Sequence, residues 1–165
     1  MKKVNKKTDL IKDGIIFDAK PDAIPFNYRI SYKISILCMI IKICCGRRGC
    51  SLMKMHIIST AITDKVYRHN LERFLRDHID RGFIVRFEPA VNRAIEYALS
   101  DEFIVQQKNG TYKLTQKGRL LATKIEEDKT IFQYEKLVLE KVGINLTEEK
   151  IRAISERWKY QDAKN

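Results

Sequence analysis

Residues 103–119 read FIVQQKNGTYKLTQKGR, two short runs of alternating apolar and polar residues on either side of Asn109 and Gly110. Asn-Gly is the strongest short-range hairpin signal, because a two-residue type I′ turn needs positive φ at both central positions. Such a turn sets a register in which Lys108 faces Thr111, Gln107 faces Tyr112, Gln106 faces Lys113 and Val105 faces Leu114. Phe103, Val105, Gln107, Tyr112 and Leu114 then share a packed face, while Gln106, Lys108, Thr111 and Lys113 share a wet one, basic at its tip. Thr115 can cap a following helix over 116–128. Gly118 weakens the first turn of that helix, so it is expected to permit a close backbone approach.

Upstream, Ile30, Ile34, Leu37, Cys38, Ile41 and Cys44 recur at helical spacing and predict a first core helix over 30–45. Gly46-Arg-Arg-Gly49 breaks it. Ser51 is placed to cap a second helix with Leu52, Met55, Ile58, Ser59 and Ile62 inward, and Asp64 to cap a third, running to about Asp80. The third is expected to bury Val66, Leu71, Leu75 and Ile79 and to turn Arg68, Arg73 and Arg76 outward. Residues 83–87, FIVRF, have the content of a short strand. Pro89 suits the first position of a helix over 89–100, where its missing amide is not needed.

The order of helices, short strand and hairpin predicts a mostly α chain with a small β-hairpin: a winged-helix domain over 30–128. An N-terminal arm, 1–29, precedes it and a C-terminal helical extension, 129–165, follows. In the extension, Ile131, Tyr134, Leu137, Val138 and Val142 are expected to form one stripe. Gly143 breaks the helix, and Thr147 caps another whose Glu148 and Glu149 complement its dipole. Ile151, Ile154 and Trp158 make a second stripe, either packed back on the domain or turned to a partner.

The 165 residues carry 32 Lys plus Arg against 21 Asp plus Glu, a formal net charge of +11, which points to a polyanion or an acidic protein surface as neighbour. Four cysteines, Cys38, Cys44, Cys45 and Cys50, lack the two spaced pairs of a zinc site, and Cys38, Cys44 and Cys45 read as small hydrophobes on a helix. Their free state suits a reducing cytosol. The most apolar run, 34–45, is shorter than the roughly 20 residues a bilayer span needs, and the basic N-terminus lacks a signal-peptide pattern. A cytoplasmic location with no membrane contact is therefore expected.

A winged-helix DNA reader offers polar side chains from the helix before the hairpin. The helix PAVNRAIEYALS, 89–100, offers Asn92, Arg93 and Glu96, of which Glu96 repels phosphate, while Ala90 and Tyr97 fall on its outer surface. That surface suits a protein partner better than a groove. Arg93, Lys108, Lys113, Lys117 and Arg119 are the candidates for DNA contact; the last four either neutralise phosphates or form a solvated basic face. Ala90, Tyr97, Ile151, Ile154 and Trp158 are the candidates for a partner interface.

Residues 24–27 (IPFN), 50–61 (CSLMKMHIISTA) and 83–98 (FIVRFEPAVNRAIEYA), followed by NGTYKLTQKG, resemble the middle components of bacterial ABC-three-component systems, including the accessory subunit of Lamassu anti-phage defence. The likeness covers about residues 24–125 and rests on apolar anchors and a few polar positions. It implies a subunit that docks on an SMC-like ATPase and helps couple DNA sensing to an effector, and it brings no catalytic residues. Partners expected on this basis are the ATPase, the effector subunit and double-stranded DNA, held non-specifically. A stand-alone winged-helix transcription regulator is the alternative.

The sequence has no phosphate-binding G-x-x-x-x-G-K-[ST] loop and no G-x-S-x-G elbow. Asp77 and Asp80, with Arg76 and Arg81 beside them, read as surface ion pairs rather than as a metal centre with Glu88. The expectation is a non-enzyme with no cofactor, no metal and no catalytic residues.

Overall fold

A computed structural model describes residues 25–77 and 84–162, with side chains to 76 and from 84 to 156. The predicted arm before Pro25, and Phe83, Ile79 and Asp80, lie outside it. Helix α1, Ile30–Cys44, is the central element, and α4, Pro89–Ser100, α5, Gln116–Glu127, and α6, Gln133–Val142, all pack against it. The core helix expected from the sequence is present, and Ile36, Met39 and Ile40 are buried along with Ile34, Leu37, Cys38, Ile41 and Cys44, so the helix is covered on nearly every side. A helix that is apolar all round is a core helix, and burying each large aliphatic side chain stabilises by about 1.5–3 kcal/mol.

Helix α2, Leu52–Thr63, starts at Ser51, whose Oγ accepts the Lys54 amide at 3.2 Å. Met55, Ile58, Ser59 and Ile62 are buried as expected, and Leu52 is exposed, because the first turn overhangs the core. Helix α3, Lys65–Asp77, is capped by Asp64, which accepts from the Tyr67 amide at 2.9 Å. Its inner face is Tyr67, Leu71 and Phe74; Val66 is 72% exposed and Leu75 only half-buried. The predicted face was rotated by one residue, because Tyr67 and Phe74 were not counted as core.

Residues 84–88 run extended without strand pairing among the described residues. Strands β1, Ile104–Gln106, and β2, Tyr112–Leu114, pair antiparallel, and Cys50 bridges Tyr112 on the other side of β2. The register also differs from expectation: Ile104 faces Leu114, Val105 faces Lys113 and Gln106 faces Tyr112. Gln107 donates to the Thr111 carbonyl at 2.8 Å and Gly110 to the Gln107 carbonyl at 2.9 Å. Only Gly110 in the turn has positive φ, +79°. The connection is thus a three-residue loop, a tight turn at Lys108 and Asn109 followed by left-handed Gly110, rather than type I′. One residue of slip turns β1 over: Ile104 joins Tyr112 and Leu114 in the core, and Val105 comes to the surface.

Helix α5 begins at Thr115, whose Oγ1 accepts the Gly118 amide at 3.1 Å and donates to the Glu102 carbonyl at 2.5 Å. A Cβ on Gly118 would sit 2.0 Å from the Phe103 carbonyl oxygen, so the close approach read from the sequence is present. After α6 the chain turns through Gly143–Asn145 into α7, Glu148–Asp162. Residues of α6 and α7 belong to the same buried cluster as α1 and α2. The predicted α6 stripe was only partly right. Val138 and Val142 are buried, but Ile131, Tyr134 and Leu137 are exposed, and Leu139 and Leu146 take their place. Ile151 and Ile154 are buried, which realises the packed-back alternative and removes both from any partner surface. Leu139→Ala should therefore lower the unfolding free energy by about 2–5 kcal/mol. Leu137→Ala should cost under about 0.5 kcal/mol in the same denaturant titration; the reverse ranking would contradict this packing.

Candidate nucleic-acid interface

The loop between α1 and α2 is locked onto the hairpin. Cys50 and Tyr112 exchange both backbone hydrogen bonds, at 2.9 and 2.8 Å, and the Arg48 carbonyl accepts from Gln107 Nε2 and Thr111 Oγ1, each at 3.0 Å. Gly49 makes this possible. Its φ is +93°, and a Cβ there would meet Gln107 Nε2 at 2.6 Å and the Tyr112 carbonyl at 2.8 Å. With the carbonyl side of the loop turned to the hairpin, Arg47 and Arg48 are left exposed.

Beside this junction lies a cleft of about 770 Å³ whose lining includes Lys42, Cys45, Arg47, Lys113, Arg119 and Thr123. Lys42 is neutralised by Glu126 at 2.7 Å and also donates to Thr123 Oγ1 at 2.7 Å. Arg47, Lys113 and Arg119 have no carboxylate partner among the described residues. Unpaired cations converging from three elements on one concave surface attract a polyanion at a distance and bind phosphate at contact.

The predicted cations are divided by this arrangement. Lys113 and Arg119 line the cleft, and Lys108 is exposed at the hairpin tip. Lys117 lies apart. Its Nζ donates to the Asp101 carbonyl at 2.7 Å and sits 4.4 Å from the Phe103 ring centroid, on an apolar groove formed by Leu99, Ile104, Val105, Leu120 and Leu121. Arg93 is exposed on α4, on a third concavity with Tyr28, Phe87 and Ala90. Tyr97 is 54% exposed, and Trp158 falls in α7 beyond the described side chains. Arg47 and Arg48 were missed. Their signal was the glycine on each side of the arginine pair, read only as a helix break.

Behind α4 lies a buried polar network. Lys33, itself buried, donates to Glu88 Oε2 at 2.8 Å and to Ser59 Oγ at 3.2 Å, and Thr60 Oγ1 donates to Glu88 Oε1 at 3.2 Å. Both Glu88 carboxylate oxygens therefore accept hydrogen bonds from within the fold. His56 Nδ1 accepts the Glu88 amide at 3.1 Å, so Nε2 carries the proton and donates to Asn92 Oδ1 at 2.9 Å. That contact ties down Asn92, one of the two polar readers expected on α4. Burial holds the His56 pKa below its ordinary value of 6.5, and protonating Nδ1 would set two donors against each other.

Comparison with protein-family models, with curated proteins and with solved structures gave no match.

Because the folded chain resists protonating His56 and the unfolded chain does not, the associated stability is fully present above pH 6.5 and is lost as pH falls toward the folded pKa. Unfolding free energy measured between about pH 7 and pH 5 should fall with acidification more steeply in the wild type than in His56→Gln. Equal slopes would show that His56 is not the group refusing the proton.

Proposed function

We propose that this chain is a non-catalytic, winged-helix accessory subunit of an SMC-like ATPase complex in bacterial anti-phage or anti-plasmid defence. In this reading it holds duplex DNA by its backbone, through the cleft between the arginine loop and the hairpin, while other surfaces engage the ATPase and the effector subunit. The winged-helix assignment is supported by the chain order of α1, the Cys50 bridge, α2, α4 and the β1–β2 hairpin. That order gives a two-stranded sheet flanked by one isolated bridge, with a helix ahead of the hairpin.

The observation that carries DNA contact is the fixed loop, which sets Arg47 on one cleft with Lys113 and Arg119 and leaves Arg48 exposed on the same loop. Phosphate contacts position a protein on a duplex without reading sequence, and this cleft presents cations with no base-reading amide side chain among them. The regulator alternative is weakened by α4: Asn92 is occupied by His56, Glu96 is exposed, and Arg93 alone remains as a free base-reading cation on the predicted reading face. The resemblance to three-component systems supports the ATPase assignment.

Two measurements test the two halves separately. Purification of the tagged chain from its native operon should recover a stoichiometric coiled-coil ATPase, and recovery of a free homodimer with one tight operator would favour the regulator. For DNA, the slope of log affinity against log salt should become shallower by about 2 in Arg47→Glu with Lys113→Glu, since each lost phosphate contact removes about 0.9. An unchanged slope would place DNA contact elsewhere.

A further inference from the structure

The hairpin is paired on one side only. Its strands make a two-stranded sheet and the Cys50 bridge falls on β2, so the outer edge of β1 has no neighbour among the described residues. Gln107 donates to the Thr111 carbonyl and Thr115 to the Phe103 carbonyl. By antiparallel alternation Val105 then exchanges bonds with Lys113, while the amide and carbonyl of the exposed Gln106 point away from β2. Beside that edge lies a groove of about 870 Å³ whose lining includes Leu99, Ile104, Val105, Leu120 and Leu121. Val105 and Leu120 are half-exposed in it.

The charged residues of the lining select among occupants. Lys117 and Lys124 stand there against the carboxylate of Glu102, and neither lysine has a carboxylate partner among the described residues. A nucleic acid finds few polar groups to hold, and a second copy pairing edge to edge sets lysines against lysines. An apolar, strand-forming segment flanked by carboxylates fits, and the chain contains one: residues 13–18 read DGIIFD, with Ile15, Ile16 and Phe17 between Asp13 and Asp18. Its reach is sufficient. The Pro25 carbonyl accepts the Tyr28 amide, and Tyr28 shares a concavity with Pro89 and Ala90 at the start of α4. Leu99, which lines the groove, lies about 15 Å further along that helix. The chain from Phe17 to Pro25 spans up to about 27 Å when extended.

We propose that Ile15, Ile16 and Phe17 of this chain's own N-terminal segment occupy the groove and lie along the outer edge of β1. The apolar side chains cover Val105 and Leu120, the backbone pairs with Gln106, and Asp13 and Asp18 meet Lys117 and Lys124. Exposed ion pairs contribute little to such a contact, and burial of apolar surface carries it. The covalent tether raises the effective concentration of the segment to about the millimolar range, so a modest intrinsic affinity is enough. The chain thereby shields a strand edge that otherwise invites pairing between molecules. This docking is independent of whether the basic cleft binds DNA.

The test follows amide exchange residue by residue by NMR in the full-length chain. The Gln106 amide should exchange at least about tenfold more slowly in the wild type than in Ile15→Asp with Phe17→Asp. The Val105 amide, turned toward Lys113, should exchange alike in both. In the wild type, nuclear Overhauser contacts should join the Phe17 ring to the methyl groups of Val105 and Leu120. Leu120→Asp, at an exposed position, should speed Gln106 exchange in the same way while leaving the segment itself intact. Circular dichroism confirms that each variant is folded, and the wild-type contacts need no variant. Equal Gln106 exchange in the wild type and the double variant, absence of the Phe17 contacts, or protection that grows with protein concentration and so belongs to a second copy would overturn the proposal.

Discussion

The paired hydrogen bonds between Cys50 and Tyr112 are the constraint from which the rest of the molecule can be reasoned. They join the loop after α1 to the hairpin, two segments about sixty residues apart in sequence. Several features depend on that junction. Gly49 must be glycine because the strands meet there, and the Arg48 carbonyl turns inward to Gln107 and Thr111, so the two arginines point away into solvent. Cys50 is brought into the core. The basic cleft beside the hairpin thus depends on this one bridge.

A second constraint acts through α1. Being buried on nearly every side, it cannot tolerate an unpaired cation, and Lys33 on it is satisfied by Glu88 and Ser59. Removing one member of such a pair typically costs about 3–5 kcal/mol. Glu88 in turn lends its amide to His56 and its carbonyl to the first turn of α4. The network therefore fixes where α4 starts and occupies Asn92.

Much of the architecture was legible in the sequence, for local reasons. Ser51, Asp64 and Thr115 cap where they were expected to, and Pro89 opens α4, because a cap and a first-turn proline act through neighbours a few residues away. What failed was long-range or a matter of one residue. Asn109 and Gly110 marked the turn but not its length, and the resulting slip reversed Val105 and Ile104. A short strand was expected at 83–87, where β-branched residues are dense, but residues 84–88 run unpaired among the described residues and the hairpin is bridged by Cys50, set by tertiary contact. In the tail, Leu137 and Leu139 are equally apolar, and only packing against α1 and α2 separates them. Of the site, Lys113 and Arg119 were found, whereas Arg47 and Arg48 stayed hidden because nothing local shows that the loop lies on the hairpin.

The most direct measurement is hydrogen–deuterium exchange of the full chain with and without a duplex DNA of arbitrary sequence in low salt. Protection should concentrate on residues 46–50, 107–113 and the first turns of α5, with α4 unchanged on its outer face. Protection confined to residues 89–100, with the arginine loop and hairpin exchanging as in the free protein, would contradict the account.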